Sequence, residues 1–307
     1  MAIFFADIEI INLNPMSEFS RIGIGLITPD FKVIWDYKYA IINTFAFALC
    51  GITISVLLSI PLAIFYQNKL VQIFCSFIRS IHEIFWAFIF LQLVGLNAVC
   101  GIISIAIPFS GIFAKIFFEI EEESNKLPKS SITQNKSKLI IFLYNSFPII
   151  SEDIKNYIKY RLECAIRSSA ILGFIGLPTL GFYLETAFRE GLYSEASALL
   201  YIFFILIASL KYIIRKKFIP ILIFVSIIYI PLNIHFSWSN FVRFFTYDIL
   251  PWPMRKAEYY NQKMTLNFNL TELLKWFILI LKTEGLKGVW NTIILTQIGL
   301  FSTGIFA

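Results

Sequence analysis

The chain is poor in charged residues and has almost no histidine. Of its 307 residues, 15% are charged and two are histidine, whereas 58% are hydrophobic. Soluble domains average about 25% charged and about 45–50% apolar residues. The composition therefore excludes an ordinary water-soluble domain and indicates a protein surrounded mainly by lipid bilayer. The net charge of +6 does not indicate nucleic-acid binding, because the basic residues flank apolar runs, where they orient membrane helices.

Clusters of catalytic or metal-binding residues are also missing. His82 and Glu83 are adjacent, so they point in different directions on a helix, and only His235 could join them as a third ligand. We therefore expect no enzymatic activity in this chain and no cofactor. None of the four cysteines belongs to a CxxC motif, and their apolar surroundings predict unpaired packing residues: Cys50, Cys75, Cys100 and Cys164.

Long apolar runs are what the sequence has in abundance. A membrane-spanning helix needs about 20 mostly apolar residues. Six stretches qualify and a seventh begins near residue 288, which predicts an all-α integral membrane protein. The predicted spans are 39–66, 80–96, 98–118, 155–176, 195–214, 218–236 and 288–307.

Basic residues predict the orientation of these helices. Lysines and arginines flank or fill the loops after the first, third and fifth spans, and alternation puts those loops on one side, the cytoplasm. The N-terminal segment 1–38 is then periplasmic or interfacial. We expect no cleavable signal peptide there, because the segment lacks a basic n-region and carries Asp7 and Glu9 in what would be its apolar core. The segment 237–287, predicted to be an extramembrane linker, carries more basic residues than this orientation favours.

An internal repeat indicates a second unit. NTFAFALCG at 43–51 and NTIILTQIG at 291–299 are separated by the same interval at the Asn and at the Gly (291 − 43 and 299 − 51, both 248). Chance similarity between apolar helices is the alternative. On the repeat interpretation, a five-span unit at 39–214 is followed by a linking helix at 215–236. Residues 288–307 are then the first helix of a second unit, and we expect a truncated version of a longer protein.

Charged residues inside the predicted fourth span mark a candidate site. Asn156, Lys159, Glu163 and Arg167 recur at three- and four-residue steps, which predicts one polar stripe on a helix. Glu163 precedes Arg167 by four residues and could pair with it. Because an intramembrane charge is costly, such a pair favours a transport pathway or a hinge over a passive anchor.

Two further features flank this stripe. Arg79 and Glu83 are also four apart, which predicts an ion pair at the entrance of the second span. After the stripe, glycines and a proline should break the fourth helix, allowing close packing or a hinge. These residues are Gly173, Gly176, Pro178 and Gly181.

Three blocks of sequence resemble the membrane permease of phosphonate-type ABC importers. They are RSIHEIFWAFIFLQLVGL, SGIFAKIFFEIEEE and YRLECAIRSSAILGFIG. The last block matches the family pattern Arg-x-Glu-x-x-x-Arg-Ser, then Leu-Gly-x-x-Gly. The matching residues are Arg161, Glu163, Arg167, Ser168, Leu172, Gly173 and Gly176. The resemblance covers roughly residues 20–236, and the restart near 291 looks like the fused two-unit members.

The resemblance implies a five-helix core in each unit, two units per pore and a cytoplasmic ATPase dimer. A coupling motif Glu-Ala-Ala-x-x-x-Gly is expected in the loop 119–150, between the third and fourth spans. It would fall on Lys129, Ser130, Ser131 and Asn135, and all four depart from it.

The family implies a specific role and a set of partners. The role is the translocation path for phosphonate or a related small phosphorus oxyanion, in a bacterial inner membrane. The partners are the ATPase dimer, a periplasmic substrate-binding protein and a second permease unit, which could be another copy of this chain. The rival interpretation, favoured by the degenerate coupling motif and the partial repeat, is an inactive or regulatory permease-like membrane protein.

Overall fold

The structure is a computed structural model that describes residues 14–124, 147–213, 219–230, 238–257, 264–266 and 269–306. The chain divides into two compact units. One unit is 19–237, and the other combines 1–18 with 238–307. The regular structure of the described residues is helical apart from two short strands, which confirms the all-α prediction.

The helices up to residue 230 form the larger part of the described chain. They are α1 (Pro15–Ile27), α2 (Val33–Asp36), α3 (Lys38–Ile64), α4 (Lys69–Ser80), α5 (Glu83–Val94), α6 (Ala98–Ser124), α7 (Phe147–Ile171) with a 3₁₀ turn (Leu172–Ile175), α8 (Leu180–Arg189), α9 (Tyr193–Ile213) and α10 (Ile219–Tyr229).

The centre of this unit is the pair α3 and α6. Each is an apolar helix of 27 residues, and α3 carries no charge after Lys38. The two helices approach closely at Gly51, where an added Cβ would lie 2.8 Å from Ile105 Cγ2. Helix α7 packs on both, and its Ile150 and Ile166 belong to the same buried cluster as Phe109. All four cysteines are free.

Two further helix pairs are bent instead of straight. In the described residues, only α3 and α6 are long and apolar enough to cross a membrane on their own. The pair α4 and α5 meets at 92°, and α7 with its 3₁₀ turn meets α8 at 53°; each pair could be one broken span.

The predicted spans therefore agree with the observed helices in some cases and not in others. The spans 39–66 and 98–118 correspond to α3 and α6, whereas 80–96 and 155–176 are each one part of a bent pair. The spans 195–214 and 218–236 overlap α9 and α10. The apolar part of α9 runs only from Tyr193 to Ser209, and α10 has 11 residues, so neither is among the helices long enough to cross a membrane alone. The predicted first unit, 39–214, lies within the compact unit 19–237, and its bounds stay a prediction.

The residues from 238 onward begin with short elements and end in a long helical run. The elements are α11 (Trp238–Arg243), a π turn (Phe244–Asp248), a 3₁₀ turn (Trp252–Met254), antiparallel strands β1 (Arg255–Ala257) and β2 (Met264–Leu266), α12 (Leu270–Ile280), a second π turn (Leu281–Gly285) and α13 (Leu286–Phe306). Helices α11 and α12 thus lie inside the segment 237–287, whose role as an extramembrane linker stays a prediction, and α13 begins at Leu286, two residues before the predicted start of the last span.

Candidate functional site

The junction between α7 and α8 is a helix break that another helix stabilises. Gly176 has a φ of +96°, which ends the 3₁₀ turn in a conformation that favours glycine. The backbone groups that the break leaves free are bonded by α3. Asn43 Nδ2 donates to the Pro178 carbonyl at 3.0 Å, and the Leu180 amide donates to Thr44 Oγ1 at 2.9 Å. Non-helical backbone at membrane depth requires such a cover.

A further hydrogen bond connects the same two helices. Ser169 Oγ on α7 donates to the Thr44 carbonyl at 2.8 Å. Thr44 and Ser169 have 0% of their surface exposed, so these polar groups are held inside the helix bundle. We call this cluster the break site; it consists of Asn43, Thr44, Ser169 and the segment 176–180.

The predicted glycines fix how closely the two sides of the break approach. A Cβ at Gly181 would lie 1.8 Å from the Ala170 carbonyl oxygen, and one at Gly173 would lie 2.1 Å from the Phe182 amide nitrogen. No larger side chain fits at either position. The geometry supports the packing role of these glycines, whereas hinge motion at the break stays a prediction.

The polar stripe of α7 does not contain the predicted ion pair. Glu163 is half-buried and Arg167 is exposed. Their charged groups are not within 4.0 Å of each other, so the two residues form no ion pair in the described chain. Spacing by four residues permits a pair but does not require one. Any contribution of these charges to transport is therefore a proposal.

Arg161, on the same helix, is in contact with two tyrosine side chains. Its Nε donates to the Tyr157 hydroxyl at 2.7 Å, and its guanidinium lies 5.3 Å from the Tyr157 ring and 5.6 Å from the Tyr160 ring. Aromatic faces attract a cation. The sequence carries a signal for this contact, because a tyrosine precedes Arg161 by four residues and another by one.

The prediction that Arg79 and Glu83 lie on one helix is wrong. Helix α4 ends at Ser80, α5 begins at Glu83, and the two helices meet at 92°, so the residues do not share a helical face.

Glu83 connects the start of α5 to α7. Its Oε1 accepts a hydrogen bond from Ser168 Oγ at 3.2 Å, and its Oε2 lies 3.3 Å from His82 Nε2. The other ring nitrogen, His82 Nδ1, accepts from the Ile84 amide at 3.3 Å and caps α5. His82 and Glu83 thus shape the corner between α4 and α5. No group of three or more potential metal ligands lies in the described ranges.

The predicted coupling residues lie outside the described residues. They are Lys129, Ser130, Ser131 and Asn135. The helices on either side are described: α6 ends at Ser124 and α7 begins at Phe147. Near the end of α6, Lys115 Nζ lies 3.2 Å from Glu119 Oε1.

Three curated proteins are similar in sequence to this chain. PtxC, a phosphite transport system permease protein of Stutzerimonas stutzeri, is 22% identical over 219 residues, which are 67% of this chain and 80% of that protein. PhnE, a phosphate-import permease protein of Mycolicibacterium smegmatis, is 22% identical over 55% of this chain. PhnE2, named as a cryptic phosphonate transport system permease protein of Escherichia coli K12, is 26% identical over 36% of this chain and 93% of its own length.

The matched segment spans only 34% of the length of the Mycolicibacterium protein. No family model matches the chain. Among solved structures, a chain from the crystal structure of an amino acid ABC transporter with histidines aligns with 70% of this chain at 14% identity and a TM-score of 0.45. The sequence comparisons agree with the motifs of the fourth span: this chain resembles the membrane permeases of phosphonate, phosphite and phosphate importers.

Proposed function

We propose that this chain is the permease subunit of an ABC importer and forms the translocation path for phosphonate or a related small phosphorus oxyanion. The observation that carries the proposal is that three curated relatives are all permease proteins for phosphorus oxyanions, one of them matched over 80% of its length. The long apolar helices α3 and α6 support a membrane location. ATP hydrolysis is assigned to a separate cytoplasmic ATPase, and substrate delivery to a periplasmic binding protein.

The location proposed for the chain is the bacterial inner membrane, with its N-terminus in the periplasm. The basic loops support this orientation, because Lys and Arg are retained on the cytoplasmic side. The loop between α6 and α7 is then cytoplasmic and is the proposed ATPase contact, through Lys129, Ser130, Ser131 and Asn135.

The connectivity suggests how ATP hydrolysis reaches the path. A displacement of the loop would move α7, because that helix follows the loop directly in the sequence. At its far end α7 is bonded to α3 through Ser169 and to α5 through Ser168. Movement of α7 therefore changes the arrangement of the bundle at the break site. Alternating access by movement of such rigid elements is common among transporters.

The proposal is tested by uptake. The chain is expressed with the ATPase and binding-protein genes of its own organism, in a host that lacks its phosphonate, phosphite and phosphate permeases. Labelled phosphonate, phosphite and phosphate are supplied separately, with sulfate as the control anion. ATP-dependent uptake of one phosphorus oxyanion, together with co-purification of the ATPase, is the expected result.

The rival function is a regulatory or inactive permease-like protein. It is favoured by one observation, the loss of the family residues at all four coupling positions. A chain that inserts in the membrane but neither retains the ATPase nor supports uptake of any of the three anions would establish the rival.

A further inference from the structure

Three aromatic rings lie around the guanidinium of Arg161 in the middle of α7. The ring centres of Tyr157, Tyr160 and Phe109 are 5.3, 5.6 and 6.0 Å from its Cζ. The core holds Tyr157 in turn, because its ring meets Phe113 edge-on at 5.8 Å and Phe113 is 0% exposed. Aromatic packing, and not an opposite charge, therefore fixes the position of this cation.

The guanidinium lies at membrane depth if α6 spans the bilayer. Phe109 is about 16 Å along α6 from residue 98 and about 14 Å from residue 118, the two ends of the predicted span. The hydrocarbon layer is about 30 Å thick. A guanidinium beside Phe109 is therefore near the centre of that layer and away from the phosphates of the lipid headgroups.

No carboxylate balances this cation in the part of the chain that the structure describes. Arg161 forms no ion pair within 4.0 Å there. Helix α3 has no charged residue after Lys38, and α6 has none before Lys115. On α7 itself, Glu163 lies about 200° around the helix axis from Arg161. A cation without a partner charge in a membrane helix is costly and commonly marks a transport pathway.

The same side chain keeps hydrogen-bond donors to spare. A guanidinium has five N–H groups. The Nε–H of Arg161 donates to the Tyr157 hydroxyl at 2.7 Å, and within the described ranges neither terminal nitrogen donates to any acceptor. Two parallel N–H groups of a guanidinium match two oxygens of a phosphorus oxyanion.

We propose that Arg161 and Tyr157 form an anion-binding subsite that holds the transported phosphorus oxyanion inside the membrane. The proposal rests on the proposed function and names the residues that contact the anion. The terminal nitrogens of Arg161 bind two of its oxygens, and the Tyr157 O–H donates to one of them. Aromatic rings offset part of the positive charge without competing for it as a carboxylate would, so the anion binds and can still leave.

Chemical modification of arginine in the complete transport system tests this subsite. The permease, its ATPase and its binding protein are reconstituted in lipid nanodiscs and treated with phenylglyoxal during ATP turnover, and peptide mapping locates the modified arginines. Methylphosphonate, phosphite and phosphate are added separately, with chloride at equal ionic strength as the reference. Arg189 is the internal control, because its side chain is 79% exposed and is paired with Glu185.

We expect the transported anion to slow the modification of Arg161 at least about threefold and to leave that of Arg189 unchanged, because the bound oxyanion covers the terminal nitrogens. Fast modification with and without the anion would show that only the rings hold the guanidinium. Slow modification without any added oxyanion would show that a lipid headgroup or neighbouring protein already covers it. Either result overturns the subsite.

Substitutions separate anion binding from a purely structural role. Arg161→Gln should reduce uptake per assembled complex at least about tenfold, because charge-assisted hydrogen bonds to the anion are lost. Arg161→Lys keeps the charge without the planar fork, so its loss should be smaller. Lys155→Gln removes a positive charge from an exposed site on the same helix and is the matched control. Equal uptake per complex in Arg161→Gln and Lys155→Gln overturns the subsite.

The two possible failures give different results. Wild-type uptake of a phosphorus oxyanion with an unprotected Arg161 contradicts the subsite alone. A wild-type system that takes up none of the three anions contradicts the proposed function. The modification experiment uses the wild-type chain, so it decides even where a variant does not assemble.

Discussion

At the scale of single residues, the buried side chain of Thr44 joins two distant parts of the chain. Its hydroxyl donates to the Ala40 carbonyl in its own helix and accepts from the Leu180 amide, which lies 136 residues away in sequence. The second bond satisfies a backbone N–H at the start of α8. A buried N–H without a partner costs about 1–3 kcal/mol.

Replacement of Thr44 by valine should therefore destabilise the chain. Thr44→Val keeps the shape but leaves the Leu180 amide unsatisfied, so we expect a loss of about 1–3 kcal/mol. Thr53→Val is the matched control, because Thr53 Oγ1 donates only to the Leu49 carbonyl within α3, at 2.7 Å. Thermal unfolding of the two variants in the same detergent measures the difference. Equal unfolding temperatures would contradict the role given to the interhelical bond.

Gly181 should tolerate no side chain. Gly181→Ala places a Cβ 1.8 Å from the Ala170 carbonyl oxygen, so α7 and α8 must separate. Overpacking of this kind costs about 1–3 kcal/mol or more. We expect loss of monodisperse protein on gel filtration. Gly23→Ala in α1 is the control, because nothing lies within 4 Å of its added Cβ; a Gly181→Ala protein as well behaved as Gly23→Ala would refute the close approach.

At the scale of elements, the sequence predicted straight helices better than bent ones. Uninterrupted apolar runs located α3 and α6 closely. The break before α5 carries no glycine or proline; its signal is His82, which caps α5. The glycines and Pro178 did predict the break after α7. Its partners, Asn43 and Thr44, could not be predicted, because the packing of distant helices and not local spacing brings them there.

The corner between α4 and α5 should depend on Ser168. Ser168→Ala removes the hydrogen bond to Glu83 Oε1, which we expect to cost about 1.5–3 kcal/mol because the acceptor is a charged group. Ser151→Ala is the control, since Ser151 Oγ donates only to the Pro148 carbonyl in the first turn of α7. Thermal unfolding and the rate of proteolysis at the corner measure the effect. Similar values for the two variants would show that the bond does not hold α5 in place.

At the scale of the whole molecule, α7 contacts several helices of the compact unit 19–237 that are far apart in sequence. It begins after the proposed ATPase-contact loop, packs on α3 and α6, and ends at the break site. Its charges differ in their surroundings: Arg161 is held by aromatic rings, whereas Arg167 is exposed. Charges in membrane helices commonly mark transport pathways. Removal of a charge of α7 that has no ion-pair partner in the described chain should therefore affect transport more than stability.

Glu163 provides the test of that expectation. It is half-buried, and no ion pair within 4.0 Å holds it in the described chain, so its removal leaves no buried partner charge unpaired. We expect Glu163→Ala to reduce uptake of the transported anion by about tenfold, equivalent to about 1.4 kcal/mol, while the unfolding temperature changes little. Asp153→Ala removes the same charge from an exposed site near the start of α7 and is the matched control. Uptake unchanged in both variants would place Glu163 outside the pathway, and unfolding of Glu163→Ala in proportion to its loss of uptake would make it a purely structural residue.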